Sequence, residues 1–247
     1  MRCTRDIMGM PVTIEVVAAS DTRLHDIGFA CLVDIDRRFS PYKPDSEVSR
    51  INRGEIDILA VSPDMAEILG LAELTRLETD GYFDIRRPGG GFDPSGLVKG
   101  WAIRRAARAV AVAGGTDFYV EAGGDIQCVG HNAAGDPWRT GIRHPAQPDA
   151  IVEVLYPRGK GVATSGTYAR GHHIYNPYDG AAVAGEIISL TVIGDDVYEA
   201  DRFATAAFAM GDAGLAFLEA QPGLEAYQID HDGMASMTSG FSSYTAP

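Results

Sequence analysis

Residues 93–130 read DPSGLVKGWAIRRAARAVAVAGGTDFYVEAGGDIQCVG, and this stretch decides the class of fold. Its first half reads as a helix from about Val98 to Ala113, and Gly114-Gly115 supplies the left-handed stop that ends many helices. Its second half, residues 117–130, reads as strand, Gly123-Gly124 turn, strand.

The same mixture continues in both directions. Residues 10–18 alternate and are β-branched, which predicts a strand. Leu24, Ile27, Cys31 and Ile35 recur at helical spacing and predict a helix over 21–37. Ser62-Pro63-Asp64 is a helix-start signal for a segment that runs to about Glu78, and Thr79-Asp80-Gly81 closes it. Short strands are expected at 138–143, 151–156, 160–164 and 172–176, and a β-branched one over 187–193. Residues 200–210 predict an apolar helix opened by Asp201, and 215–220 a shorter one. The Ser-, Met- and Thr-rich tail beyond Gly233 is expected to be loosely held. Helices and strands mix without regular βαβ alternation, so the expected class is α+β, or irregular α/β, in one domain over 1–247.

The chain has 247 residues, 45% of them hydrophobic and 22% charged, enough for a substantial core. Its formal net charge of -13 argues against nucleic-acid binding, which needs clustered Lys and Arg. The same charge means that any phosphate ligand must be met by a metal, a few bases or backbone amides. Cys3, Cys31 and Cys128 are odd in number and lack metal-ligand spacing, so a reducing compartment is the default. No apolar signal region follows the N-terminal charges, and no run approaches the ~20 apolar residues of a membrane span. The expected location is cytoplasmic.

Four groups of residues carry chemistry. Asp201 and Thr205, spaced i, i+4, share a helix face and offer hard oxygens suited to magnesium, although a capped core helix explains the spacing as well. Asp84, Asp93, Ser95, Gly96 and Lys99 surround a glycine-rich run whose backbone can approach a ligand, with a helix N-terminus behind it to receive phosphate. A cation in that first turn opposes the helix dipole, and an anionic ligand would offset the penalty. The plainer alternative is a surface turn before a helix. Thr164-Ser165-Gly166 offers hydroxyls and free amides, and His173 is a general base, a ligand contact or a strand histidine. His172 and His173 point to opposite faces of a strand and so do not share one metal. Tyr42 is either a lid on a planar ring or a packed loop aromatic.

The order of these pieces resembles the FAD:protein FMN transferase (ApbE) family over nearly the whole chain. The matching pieces are Met8-Gly9-Met10; Phe39-Ser40-Pro41-Tyr42 through Ser46-Glu47-Val48-Ser49-Arg50-Ile51-Asn52; Gly81-Tyr82-Phe83-Asp84-Ile85; Asp93-Pro94-Ser95-Gly96-Leu97-Val98-Lys99-Gly100-Trp101-Ala102; Gly123-Gly124-Asp125-Ile126; Trp138-Arg139-Thr140-Gly141-Ile142; Thr164-Ser165-Gly166-Thr167-Tyr168; His173-Ile174-Tyr175-Asn176-Pro177; and Ala200-Asp201 through Thr205-Ala206. The resemblance implies a T-fold-type domain with a mixed, mostly antiparallel sheet flanked by helices and an FAD site in a central cleft. It implies an enzyme that binds FAD with Mg2+ at the pyrophosphate, transfers the FMN half to a threonine hydroxyl of an acceptor flavoprotein and releases AMP. Some members instead hydrolyse FAD, and a non-catalytic FAD-binding protein is a further alternative. Carried over by residue, Asp201 and Thr205 would bind the metal through side chains, and Gly96 and Ala204 through backbone oxygens. Met8, Tyr42, Tyr82, Phe83, Asp84, Asp93, Lys99, Thr164, Ser165 and Ile174 would line the FAD site, with His173 and Asp201 as the catalytic pair.

Three departures stand out. Only Ile85 to Phe92 joins Asp84 to Asp93, where the family carries a longer insertion. Asp93-Pro94-Ser95-Gly96 replaces an Asp-Leu-Gly-Gly type of run, and Asn176 stands where an Asp is usual. These changes bear on the rim of the site and leave the metal pair intact.

Overall fold

The structure is a computed structural model, and it describes the chain except for residues 19, 88, 168–173, 179, 181–182, 184–185 and 247. Among the described residues ten strands are formed: β1 (Arg2–Ile7), β2 (Met10–Val16), β3 (Phe118–Ala122), β4 (Asp125–Val129), β5 (Thr140–His144), β6 (Gln147–Leu155), β7 (Gly161–Gly166), β8 (Ile187–Gly194), β9 (Glu225–Asp230) and β10 (Ala235–Met237). Eight of them make one sheet in the order β1-β2-β3-β4-β7-β8-β9-β10, and β5 and β6 pair separately. Every strand pairing among the described residues is antiparallel. The helices are α1 (Arg23–Phe39), α2 (Glu47–Asn52), α3 (Pro63–Glu78), α4 (Ser95–Val112), α5 (Val197–Ala209) and α6 (Gly214–Glu219). None is long and apolar enough to cross a membrane.

Strand alternation sets the layers. Val12, Ile14, Phe118 and Val120 face α1 and α4 in one buried cluster. Ala163, Leu190 and Val192 face α5 and α6 in a second. Ile126, Cys128, Val162 and Ile193 turn the other way and pack with Trp138, Ile142, Tyr227 and Phe241. Trp101 of α4 is fully buried, meets Phe39 edge-on at 5.4 Å and donates its indole N–H to Glu67 at 2.9 Å. The centre of the molecule is thus α4, held by α1 on one side and α5 on the other.

Several expectations change. Helix α4 begins at Ser95 rather than near Val98, because the Asp93 carboxylate accepts both the Ser95 N–H, at 3.0 Å, and the Ser95 hydroxyl. Helix α5 begins at Val197, and its cap is Asp196, which accepts the N–H groups of Tyr198 and Glu199 at 3.0 and 3.1 Å. Asp201 therefore lies in the second turn and opens nothing. The tail is not loose: Thr238 and Phe241 are buried, and the Tyr244 carbonyl accepts the Tyr156 N–H at 2.8 Å. Of the strand expected at 172–176, residues 172 and 173 lie outside the described residues, and 174–176 form no strand. Strands β1, β9 and β10 and helix α2 were not foreseen.

Two local devices fix the parts that carry the site. Gly161 on β7 runs directly under the start of α5, so that a methyl group there would enter the Asp196 and Val197 backbone. Gln127 of β4 ties the same turn down by accepting the Val197 N–H at 2.9 Å. The second device is Asn52, the last residue of α2. Its amide donates to the Phe92 carbonyl and accepts the Phe92 N–H, both at 2.9 Å, as a neighbouring strand would. This clamp pins the short loop between Asp84 and Asp93.

Gly161→Ala is expected to cost about 3 kcal/mol or more, at the upper end of the usual cost of overpacking, because the neighbours are backbone. An unchanged urea midpoint would show that the helix start is free to move. Asn52→Ala removes two hydrogen bonds worth about 1 kcal/mol each. Amide exchange at Phe92 should accelerate about tenfold or more while the sheet keeps its protection. Unaltered exchange across residues 85–93 would rule out the clamp.

Candidate functional site

Three of the expected residues, Lys99, Asp201 and Thr164, converge where α4, α5 and the sheet meet. Lys99, one turn into α4, extends its ammonium between two carboxylates. It forms an ion pair with Asp125 of β4 and lies 3.1 Å from Asp201 Oδ1 of α5. The remaining oxygens are held by backbone. Gly100 N–H donates to Asp201 Oδ2 at 2.7 Å, and Thr164 N–H of β7 donates to Asp125 Oδ1 at 3.0 Å. Among the described residues Asp125 Oδ2 has no hydrogen bond of ordinary geometry and meets only the ammonium.

Gly100 makes the approach of the helices possible. A Cβ there would stand 2.7 Å from Asp201 Cβ and 2.8 Å from the Val197 carbonyl oxygen. The Gly100 N–H is the donor that a regular helical turn assigns to the Gly96 carbonyl, so Asp201 competes with that carbonyl for it. Gly96 in turn faces Phe83 and Thr205: a Cβ at Gly96 would lie 3.4 Å from Phe83 Cε2 and from Thr205 Cγ2. The Thr205 hydroxyl makes no hydrogen bond among the described residues.

The charges do not balance. Side-chain exposures are 16% for Lys99, 0% for Asp125 and 2% for Asp201. Among the described residues two buried carboxylates share one ammonium, so the cluster carries a net charge of -1 when both are ionised. Burial pushes the Asp201 carboxyl up to about 7 against the pull of Lys99, and the Asp125 charge adds to the rise. The two carboxylates hold the Lys99 ammonium well above its usual range despite its burial. Removing either partner of such a pair strands the other.

Among the described residues no group of three or more His, Cys, Asp or Glu side chains is arranged to hold a metal ion. Of the expected metal ligands, Asp201 joins the cluster and Thr205 lies against Gly96 at the start of α4, whereas no contact among the described residues joins the Ala204 carbonyl to it. These hard oxygens suit Mg2+, which is commonly shared between one or two carboxylates and the phosphates of a ligand. The excess negative charge and the underbonded Asp125 fit the arrival of a cation.

The other expected residues are placed more loosely. Phe83 is buried. Tyr82 meets Tyr178 edge-on at 5.1 Å, and the Tyr178 hydroxyl donates to the Asp80 carbonyl. Asp84 accepts the Arg86 N–H at 2.8 Å, and Asp93 accepts from Arg87, so both carboxylates are engaged inside their own loop. The Tyr175 hydroxyl reaches the Arg86 carbonyl at 3.2 Å, which sets the segment after Ile174 over that loop. Ile174 packs on the α5 cluster. Ser165 shares the face of Ala163, toward α5, whereas the Thr164 hydroxyl lies on the opposite face, 2.9 Å from that of Thr191. Only the backbone of Thr164 serves the cluster. Met8, with φ of 57°, forms the turn between β1 and β2, and Tyr42 is 89% exposed. No hydrogen bond, ion pair or ring contact among the described residues joins either to the cluster. His173 lies outside the described residues. Asp125 and Gly100 were not foreseen as site residues. Asp125 reads as the end of a hairpin turn, and the available signal was an acidic residue beside Gly-Gly in a motif that carried the resemblance.

The sequence model of the ApbE family matches residues 8–87 and 86–228. A FAD:protein FMN transferase of Vibrio cholerae is 33% identical over 138 residues, 52% of this chain and 41% of the relative. One of Escherichia coli is 29% identical over 150 residues, 57% and 43% of the two chains. One of Haemophilus influenzae is 23% identical over 259 residues, 79% and 75%. The chain thus spans less than half the length of the first two. Among solved structures, the flavin transferase ApbE of Vibrio cholerae superposes with a TM-score of 0.86 at 24% identity, covering 99% of this chain and 98% of the other. The ApbE protein of Thermotoga maritima gives 0.90 at 21% identity, covering 100% and 99%. At these identities the superpositions establish the fold, and the match of the family model along residues 8–228 establishes that the chain belongs to the ApbE family.

Proposed function

We propose that this chain is a flavin transferase that cleaves FAD and attaches the FMN half to a threonine hydroxyl of an acceptor flavoprotein, with release of AMP. The observation that carries the reading is the buried Lys99, Asp125 and Asp201 cluster, one charge short of neutrality, beside the start of α4. Membership of the ApbE family and the names of the curated relatives supply the reaction.

In this reading Mg2+ is held by Asp201, Thr205 and the backbone oxygens of Gly96 and Ala204. When bound, it neutralises the pyrophosphate and eases the departure of AMP. The chain's own residues do the rest. Lys99 and the first amides of α4 present positive potential to phosphate oxygens. Phe83 and Tyr82 wall the cleft, and the Asn52 clamp keeps Asp84 and Asp93 in place beside it. Arg86 and Arg87 are engaged with Glu73 and Asp93 at the rim. The bond made is from the threonine oxygen to the FMN phosphorus, the bond broken is from that phosphorus to the bridging oxygen of AMP, and the threonine proton passes to a base, for which His173 is the candidate. Such in-line transfer depends chiefly on positioning and charge neutralisation.

Incubation with FAD, MgCl2 and a flavoprotein bearing an Asp-Gly-x-Thr-like acceptor should add the mass of FMN to the acceptor and release AMP. Chelation of Mg2+ with EDTA should abolish both products. AMP and FMN without a labelled acceptor would identify a hydrolase, and tight FAD binding with no product would remove both catalytic readings. Asp201→Ala should lower kcat by about 100-fold or more, as expected when a charge-stabilising group is lost. Turnover that survives this change at low Mg2+ would refute the ligand assignment.

A further inference from the structure

Each carboxylate of the buried cluster is fixed at one oxygen by a backbone amide: Asp201 Oδ2 by Gly100 and Asp125 Oδ1 by Thr164. The two oxygens left over, Asp201 Oδ1 and Asp125 Oδ2, face a single ammonium. Lys99 lies closer to Asp125, which has no other partner at that oxygen, and it stays 3.1 Å from Asp201 Oδ1. A second cation that shares Asp201 Oδ1 with the ammonium is penalised, because two positive charges at contact distance in a desolvated site repel strongly. The lysine stem is flexible enough to leave, whereas the carboxylates, tied to backbone, are not.

We propose that Lys99 is a tethered occupant of the seat that the metal takes on Asp201, and that Asp125 is the positioning residue that draws Lys99 off it. This rests on the reading that Asp201 binds Mg2+. Asp125 then touches neither metal nor phosphate and acts only through Lys99. Ligand-free protein binds Mg2+ weakly, because the ion must displace an internal competitor. A pyrophosphate that offers Lys99 another partner frees Asp201, so metal and nucleotide strengthen each other's binding by the same factor.

The charges allow a matched test. Lys99→Met combined with Asp125→Asn removes one positive and one negative charge and keeps the cluster at -1. The double variant therefore carries no more uncompensated buried charge than the native protein, and the amide introduced by Asp125→Asn retains an oxygen for the Thr164 N–H. MgCl2 is titrated calorimetrically into the native protein, Asp125→Asn and the double variant, all without FAD. Asp125→Asn should bind Mg2+ more weakly than the native protein, since Lys99 is left on Asp201 alone. The double variant should bind it about tenfold more tightly than the native protein, within the usual range of site-to-site coupling. If the cluster acts only through its net charge, the double variant and the native protein will have equal affinity, and the proposal is overturned. It is also overturned if Asp125→Asn binds Mg2+ as well as the native protein does. A native protein that takes up Mg2+ when loaded with FAD, beside a double variant that shows no gain, removes only the role given to Lys99 and Asp125. A native protein indifferent to Mg2+ with or without FAD removes the metal assignment, and this inference with it.

Discussion

The ammonium of Lys99 between Asp125 and Asp201 is the interaction around which the molecule is arranged. It joins three segments far apart in sequence: the first turns of α4, the β3–β4 hairpin and the middle of α5. A buried ion pair is a poor way to gain stability, because desolvating the charges costs as much as their attraction returns. The surrounding structure carries that cost. Gly100 lets α4 and α5 touch, Gly161 and Gln127 seat the start of α5 on the sheet, and two backbone amides are spent on the carboxylates. So much scaffolding around a charge cluster points to chemistry rather than to folding.

Local signals in the sequence identify the elements well where they depend on local physics. The Ser62-Pro63 start of α3, the Gly123-Gly124 hairpin and the β-branched run of β8 form as their patterns predict. Local physics fails where a residue's partner is distant. Asp201 looks like a helix cap, but Asp196, with the same side chain, reaches the amides first. Nothing within a few residues of either aspartate distinguishes them. Asp125 resembles a turn residue because its partners, Lys99 and Thr164, lie in other elements. The tail looks solvated by composition, yet Thr238 and Phe241 are buried under β9 and its neighbours. Order along the chain, rather than any single motif, made Asp201 and Thr205 legible as a pair.

The short loop between Asp84 and Asp93 is a second case of distant partners. Its composition, rich in glycine with two arginines, reads as a run whose backbone can approach a ligand, or as a surface turn. In the fold it is narrow, bridged between Arg86 and Phe92, and clamped by Asn52 from α2. Its arginines are consumed by Glu73 and Asp93. The run Ser46 to Asn52, which carried part of the resemblance without an evident role, is therefore scaffolding. Ser46 caps α2, Glu47 accepts from Ser62 at the head of α3, and Asn52 holds the loop.

These pairings bear on how a chain of net charge -13 can receive a pyrophosphate. Among the described residues, Arg86, Arg87 and Lys99 are each paired with carboxylates, and Lys99, which reaches the cluster, is shared by two. Among the described residues, little positive charge at the cleft is thus left unshared to meet a doubly charged ligand. The backbone amides at the start of α4 help, but their partial charges amount to about half an elementary charge. In the proposed reading the remainder is supplied by a divalent ion seated on Asp201. In the proposed reading, an acidic chain and a carboxylate pair that shares one ammonium among the described residues favour a ligand that enters with its metal over the anion alone.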